Sequence, residues 1–375
     1  MQTLFANIFN FEWQMAVMWA VGALLIYLAI VKEMEPSLLL PMGFGTILVN
    51  LPLSGAVTQG TTEGPLTVLF DAGIANELFP LLLFIGIGAM IDFTPLLSNP
   101  KLFLFGAAAQ FGIFFTLSAA CLLGFDLKDA ASAAVIGAAD GPTSIFVANY
   151  FNSKYMGAIL VAAYSYMALV PIVQPPVIRA ITTKKERLIR MPYAKSGVSK
   201  PVKILFPIIV TVIAGLISPA SVALVGFLMF GNLLRECGVL DSLSDTAQKV
   251  LANLITIILG LTVSSKMYYG DFLKKETLLI LGLGLAAFVF DTVGGVLFAK
   301  VINLFSKNKI NPMIGACGIS AFPMSARVVN KMGLKEDSQN FLLMHAVGAN
   351  VSGQIASVVA GGLVIKLVED ALKLA

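Results

Sequence analysis

The chain has 375 residues, of which 58% are hydrophobic and 12% charged, with a formal net charge of +4. Soluble domains carry roughly 25% charged residues, and apolar runs of about twenty residues recur here from end to end, so the composition excludes a soluble globular domain and predicts an all-α polytopic membrane protein. The basic residues lie in short loops, as membrane topology requires, and give no nucleic-acid-binding patch. Cys121, Cys237 and Cys317 are too few and too scattered for a disulfide framework or a zinc site, and the lone His345 offers no histidine metal cluster.

In chain order, residues 1–12 are short and aromatic-rich, and Trp13 suits an interfacial anchor. The first basic residue is Lys32, so no positively charged region precedes the first apolar run and no signal peptide is expected. That run covers about Met15–Val31 and stops at Lys32-Glu33-Met34-Glu35-Pro36; a second covers about Leu38–Leu53. Residues 54–68, rich in Gly, Thr and Pro, read as a loop. Further segments are predicted over about Ile74–Ile91 and Leu102–Leu123. Asp71 and Asp92, near segment ends, are expected to be wet. A segment over Ala130–Phe151 follows, then one over Met156–Ile178 containing Tyr164-Ser165-Tyr166 and an expected break at Gln174-Pro175-Pro176.

The most informative stretch is Ile136-Gly137-Ala138-Ala139-Asp140-Gly141-Pro142-Thr143-Ser144. It sets an aspartate at the depth of the hydrocarbon, followed at once by glycine and proline. Proline removes a backbone donor and clashes with the preceding turn, so a helix is predicted to break there. Broken backbone at membrane depth is tolerated only inside protein or along a wet cavity. The freed carbonyls, the Asp140 carboxylate and the Thr143 and Ser144 hydroxyls are hard oxygen ligands suited to a small alkali cation. A carboxylate in hydrocarbon must bind a cation or a proton, so one carboxylate can carry Na+ and H+ in alternation. The competing reading is a Pro-kinked helix with a structural aspartate.

From Arg179 to Lys203 the chain holds eight basic residues against the single acid Glu186, which predicts a cytoplasmic loop. It divides the chain into a first membrane repeat (1–183), a basic linker (184–203) and a second membrane repeat (204–375). Leu69-Phe70-Asp71 is matched by Leu243-Ser244-Asp245, Gly86-Ile87-Gly88 by Gly260-Leu261-Thr262, and Ile136-Gly137-Ala138-Ala139 by Ile314-Gly315-Ala316-Cys317. Interrupted segments at corresponding positions of two halves point to a transporter binding site. An inverted pair needs an odd number of crossings per half. With about six apolar segments in each, at least one per half is expected to be re-entrant or to span incompletely.

The second interrupted segment runs from Asn311-Pro312 through Gly315 and Ser320 to Pro323 and Arg327. Asn311 and Ser320 can supply neutral oxygens. Arg327 offers a planar fork for a carboxylate, or snorkels to the interface. In the last segment, Asn350, Ser352 and Gln354 form a polar stripe among small residues, which serves helix packing or ion ligation equally well. Asp291 is a second acid in an apolar segment, without an adjacent break, for an ion relay or an ion pair.

Gly137-Ala138-Ala139-Asp140-Gly141-Pro142-Thr143, the Asn311–Arg327 pattern and Gly348-Ala349-Asn350-Val351 together resemble one family over nearly the whole chain: the β subunit of the sodium-pumping, biotin-dependent decarboxylases of oxaloacetate, methylmalonyl-CoA, glutaconyl-CoA or malonate. The resemblance implies a bacterial inner-membrane subunit. It receives carboxybiotin from a biotin carrier subunit charged by a carboxyltransferase α subunit, decarboxylates it, and couples this to Na+ export with uptake of a proton. It further implies a small membrane-anchor subunit, a homotrimer of this chain, and an elevator-like fold of two inverted repeats with interrupted helices crossing near the midplane. The family's essential aspartate falls on Asp140, its functional Asn, Gly, Ser and Arg on Asn311, Gly315, Ser320 and Arg327, its tyrosine on Tyr166 and the asparagine of the last motif on Asn350. The chain is short for the oxaloacetate type, which favours an acyl-CoA type. Biotin is not expected on this chain, because no lysine sits between methionines in a carrier-type context. The competing class is a plain secondary transporter, a Na+/H+ antiporter or Na+-coupled carboxylate carrier, which would copurify with no biotin-containing protein.

Overall fold

The computed structural model describes residues 9–192 and 197–373; Lys195 of the basic loop and the two chain ends fall outside the described residues. Among the described residues, regular structure is helical apart from one isolated β-bridge between Gln59 and Thr62. Helix α1 is Trp13–Val31 and α2 Pro36–Val49. Helix α3 (Pro65–Leu69) runs through a π turn at Phe70–Ile74 and meets α4 (Leu78–Met90) at a 65° bend. Helix α5 (Thr94–Ser98) and a 3-10 turn at Pro100–Leu102 lead to α6 (Phe103–Ala109) and, past Gln110, α7 (Phe111–Leu122). Helix α8 (Leu127–Ala134), a 3-10 turn at Val135–Ala138 and α9 (Gly141–Tyr150) follow. Then come α10 (Met156–Ile181) and the short α11 (Lys184–Arg187).

Past the basic loop, α12 (Lys200–Ile217) and α13 (Val222–Glu236) precede α14 (Asp241–Asp245), which continues through a π turn at Thr246–Leu251 into α15 (Ala252–Val263). Helix α16 (Tyr269–Phe272) leads to α17 (Lys275–Phe305), a 3-10 turn at Pro312–Gly318, α18 (Met324–Glu336) and α19 (Leu343–Leu372). Among the described residues seven helices are long and apolar enough to cross a membrane, or eight if α3 and α4 form one bent span. The chain is an all-helical polytopic membrane protein.

Two details differ from the expectation. Helix α10 passes unbroken through Pro171, Pro175 and Pro176. Neighbouring elements in a packed bundle can re-satisfy the backbone that proline frees, and Gln174 is held on both sides. Its Nε2 donates to the Ala316 carbonyl at 2.8 Å, and its Oε1 accepts from Ser325 at 2.9 Å. The segment over 102–123, by contrast, stays one span over Pro100–Leu122 but its helix is interrupted for a single residue at Gln110, whose Nε2 donates back to the Gly106 carbonyl at 2.9 Å.

Both interrupted elements are hairpins that return to the end from which they enter. The Ser153 hydroxyl donates to Asp129 at 2.7 Å, which closes the α8–α9 hairpin at its mouth. The Asn311 amide donates to the Arg187 carbonyl at 2.9 Å and Arg187 pairs with Glu336 at 2.7 Å, which closes the second hairpin beside the basic loop. Arg190 reaches Asp337 at 2.6 Å and holds that carboxyl below the usual range. Helix α10 starts at the mouth of the first hairpin and ends at the basic loop, and its 26 residues span about 39 Å at 1.5 Å per residue. The two hairpins therefore enter from opposite ends of the bundle and meet inside it.

Around them, α2 packs on α15 and α13 packs on α4, with α1 beside α2 and α12 beside α13. Glycine sets the closest of these approaches. A side chain at Gly88 would strike the Leu228 carbonyl, and one at Gly231 the Ile85 carbonyl, the small-residue contact expected between membrane helices.

Candidate functional site

Asp140 stands at the tip of the first hairpin because the sequence forbids helix there. Helix α8 tightens into the 3-10 turn, Ala139 takes a left-handed conformation (φ 52°, ψ 46°), and Asp140 is extended (φ −125°, ψ 96°). Helix α9 then begins with Gly141 and Pro142, where a missing N–H costs nothing. Asp140 caps this helix and is 3% exposed. Its Oδ1 accepts weakly from the Thr143 N–H at 3.4 Å. Its Oδ2 accepts from three hydroxyls: Thr143 at 2.8 Å, Ser357 at 2.8 Å and Ser320 at 3.1 Å. The Ser144 hydroxyl donates to the Asp140 carbonyl at 2.8 Å.

Ser320 brings the second tip to this carboxylate. Its N–H donates to the Ala138 carbonyl at 2.9 Å, so the tips are joined backbone to backbone as well as through Asp140. Helix α19 closes the site from the side. The Asn350 amide donates to the Ile319 carbonyl at 2.7 Å and the Gln354 amide to the Ser320 carbonyl. Asn350, Gln354 and Ser357 recur at i, i+4 and i+7, one face of a helix. The buried Oδ1 of Asn350 and Oε1 of Gln354 are left without donors. One carboxylate, three hydroxyls and two free amide oxygens are hard donors for a cation, and the partners of Asp140, Thr143, Ser320 and Ser357, carry no positive charge.

Of the residues singled out by sequence, Asp140, Ser320 and Asn350 meet here. Gly315 lies further down the second hairpin, pressed against the backbone of Gly295 in α17. Asn311 caps the 3-10 turn through the Met313 N–H at 3.1 Å, and its amide is spent on the Arg187 and Ile189 carbonyls, both at 2.9 Å. It anchors the hairpin at the basic loop and does not touch Asp140. Arg327 is exposed on α18. Its charge acts on Glu35, whose carboxyl is pushed up by burial against the pull of that arginine. The Tyr166 hydroxyl donates to the Leu281 carbonyl in α17, away from Asp140. Tyr164 is the tyrosine beside the tip: its ring fills the space next to Gly141 and its hydroxyl is buried without a partner. Ser357 and Tyr164 are the site residues that sequence reasoning missed. Ser357 was within reach, since it continues the Asn350–Gln354 face by one turn. Nothing in the spacing separates Tyr164 from Tyr166.

Residues 14–368 match the family described as the Na+-transporting oxaloacetate decarboxylase beta subunit. The chain is 49% identical to the methylmalonyl-CoA decarboxylase subunit beta of Propionigenium modestum, covering 94% of each chain. It is 48% identical to the glutaconyl-CoA decarboxylase subunit beta of Acidaminococcus fermentans, covering 96% of this chain and 94% of the relative. It is 44% identical to a probable oxaloacetate decarboxylase beta chain of Vibrio cholerae, covering 96% and 97%. With its membrane-spanning helices and its paired hairpins, the chain belongs to the beta-subunit family of the Na+-transporting decarboxylases, as a multi-pass protein of the bacterial inner membrane.

Proposed function

We propose that the Asp140 cage carries Na+ as cargo and that this subunit couples Na+ export to the decarboxylation of carboxybiotin presented by a biotin carrier subunit. The observation that carries this reading is the convergence of three hydroxyls from three separate elements on one buried carboxylate where the hairpin tips meet. A carboxylate so placed needs a positive partner, and Na+ and H+ can serve in turn. As Na+ leaves, a proton takes its place and becomes available to the decarboxylation. Protons and Na+ then compete for one group. At low pH more of the empty sites hold a proton and more Na+ is needed to displace it, so the Na+ concentration for half-maximal rate should fall as pH rises. The test is Na+ activation of the reconstituted complex across pH; a half-saturating concentration that does not change with pH overturns the shared site.

Arg327, exposed in the first turn of α18, is assigned to the anionic end of carboxybiotin, with Tyr166 and Gly315 setting the packing of the moving parts and Asn311 fixing the second hairpin to the loop. A lysine keeps the charge and loses the planar fork. Loss of a charged hydrogen bond is worth about 2 kcal/mol, or roughly 30-fold, so Arg327→Lys should fall nearly as far as Arg327→Ala in carboxybiotin decarboxylation. Near-normal turnover in the lysine variant reduces Arg327 to a point charge.

The architecture is read as two inverted repeats, 1–183 and 204–375, joined by a cytoplasmic linker over 184–203, working as an elevator in a homotrimer. In support, both halves run in the same element order. Their π turns begin at Phe70 and Thr246, and the packing of α2 on α15 is answered by that of α13 on α4. The partners proposed are a carboxyltransferase α subunit, the biotin carrier and a small membrane-anchor subunit. For the substrate of the complex we propose an acyl-CoA, of the methylmalonyl or glutaconyl class. Identity is 49% and 48% to those relatives against 44% to the oxaloacetate relative. The alignment runs over 373 and 358 positions against 421, so the oxaloacetate chain carries insertions that this one lacks.

A further inference from the structure

A second carboxyl lies in the membrane part of the chain outside the Asp140 cage. Asp291, midway along α17, is 0% exposed, and neither of its oxygens has a hydrogen-bond partner of good geometry. Two backbones close on it. On one side is the start of α7, just past the break at Gln110, where the N–H groups of Gly112 and Ile113 face the carboxyl. A methyl on Gly112 would run into Oδ1. On the other side is the 3-10 turn of the first hairpin, where a methyl on Gly137 would come within 2.6 Å of Oδ2.

The surroundings decide what this group can bind. Asp140 is ringed by hydroxyl oxygens, which can turn their lone pairs to a metal ion. Asp291 faces N–H groups and carbon, which cannot ligate one. No base is near to neutralise it. The helices α6 and α7 and the 3-10 turns at 135–138 and 312–318 hold no Lys, Arg, His, Asp or Glu. The titratable groups of the elements packed against α17 are Cys121 at the far end of α7, Cys317 in the second hairpin, Lys128 and Asp129 in α8, Tyr164, Tyr166 and Arg179 in α10, and, beside the first turn of α17, Tyr269 and Asp271 in α16, which engage Glu12 and Lys274. Of these, Asp129 is engaged by Ser153 and Tyr166 by Leu281. A proton is the one counter-charge that needs no oxygen cage, and an unpaired carboxylate in apolar surroundings must acquire a counter-charge.

We propose that Asp291 is a proton-binding site of this protein, separate from the cage at Asp140 and covered by the tip of the first hairpin. The carboxylate takes up H+ to become a neutral carboxyl and returns it. Gly137 lies three residues before Asp140 in the same hairpin, so a movement of the tip that opens Asp140 also uncovers Asp291, and both groups exchange their ligands in the same phase of turnover. The proposal does not depend on which cation Asp140 carries.

Infrared difference spectra of the purified complex, recorded across pH, test it. Expected is a carboxyl C=O band whose intensity changes with pH. It should persist in Asp140→Asn, disappear in Asp291→Asn, and return at a shifted frequency in Asp291→Glu. A spectrum unchanged by Asp291→Asn makes Asp291 a permanently ionised cap of α7 and overturns the proposal, as does a band that does not vary with pH. A band displaced by Na+ in Asp140→Asn makes Asp291 a sodium ligand and also overturns it. Should Asp291→Asn fail to accumulate, the Asp291→Glu shift alone decides, because an unshifted band cannot come from residue 291.

Discussion

Asp140→Asn should abolish Na+ transport and decarboxylation together, while the complex still assembles. The amide has nearly the shape of the carboxylate, and with its oxygen in the place of Oδ2 it still accepts from the hydroxyls of Thr143, Ser320 and Ser357. The tip therefore keeps its bonds and loses its charge. Removing one unit charge at about 4 Å forfeits about 4 kcal/mol at an effective dielectric of 20, on the order of 10³-fold in affinity for a monovalent cation. The measurements are 22Na+ uptake into proteoliposomes and carboxybiotin turnover on the same preparation, with gel filtration to confirm assembly. Decarboxylation that continues without Na+ movement would separate the two functions and remove Asp140 from the coupling step. Ser357→Ala, which deletes one donor of three, should weaken Na+ activation without abolishing it.

The second large effect is expected at Gly315. A methyl there would enter the space held by the Gly295 carbonyl, and a methyl on Gly295 would enter the space held by the Gly315 carbonyl. The obstacle is backbone in both cases, so neither can yield by a side-chain rotation. Overpacking of this kind costs about 1–3 kcal/mol. The hairpin must back away from α17, and its tip carries the Ser320 bonds to Ala138 and Asp140 with it. Gly315→Ala and Gly295→Ala should both lose most Na+-dependent turnover. Gly282→Ala, on the same helix α17 with nothing near the added methyl, should be silent. If Gly295→Ala keeps normal turnover while Gly315→Ala does not, the role of Gly315 is not this contact.

Much of the fold could be read from residue order because its signals are local. Long apolar runs give the spans, and Gly141-Pro142 behind Asp140 breaks a helix where the break is found. What the sequence conceals is which faces meet. Asn311 and Asn350 look alike as neutral oxygen donors, yet one is bound to loop carbonyls and the other lies at the cage. Gln174-Pro175-Pro176 carries a stronger break signal than Gln110, but α10 stays whole inside the bundle and the α6–α7 segment does not. Asp291 shows no break in its own segment; the break it faces belongs to a helix about 180 residues earlier, and no local pattern reports that.

The bond between Asp140 and Ser357 joins residues 217 positions apart, and that separation has a consequence for biosynthesis. At 5–20 residues per second, about 10–40 s pass between the moment Asp140 leaves the ribosome and the moment its last hydroxyl donor exists. Over that interval the first hairpin has neither its opposing tip nor α19 beside it, and its carboxyl has only Thr143 for company. A re-entrant element suits such a wait, because it can stay at the surface or in the insertion channel until the C-terminal half arrives. The first hairpin should therefore settle into the bilayer only after synthesis is complete, and chains cut before α19 should reach the membrane with that hairpin open to proteolysis.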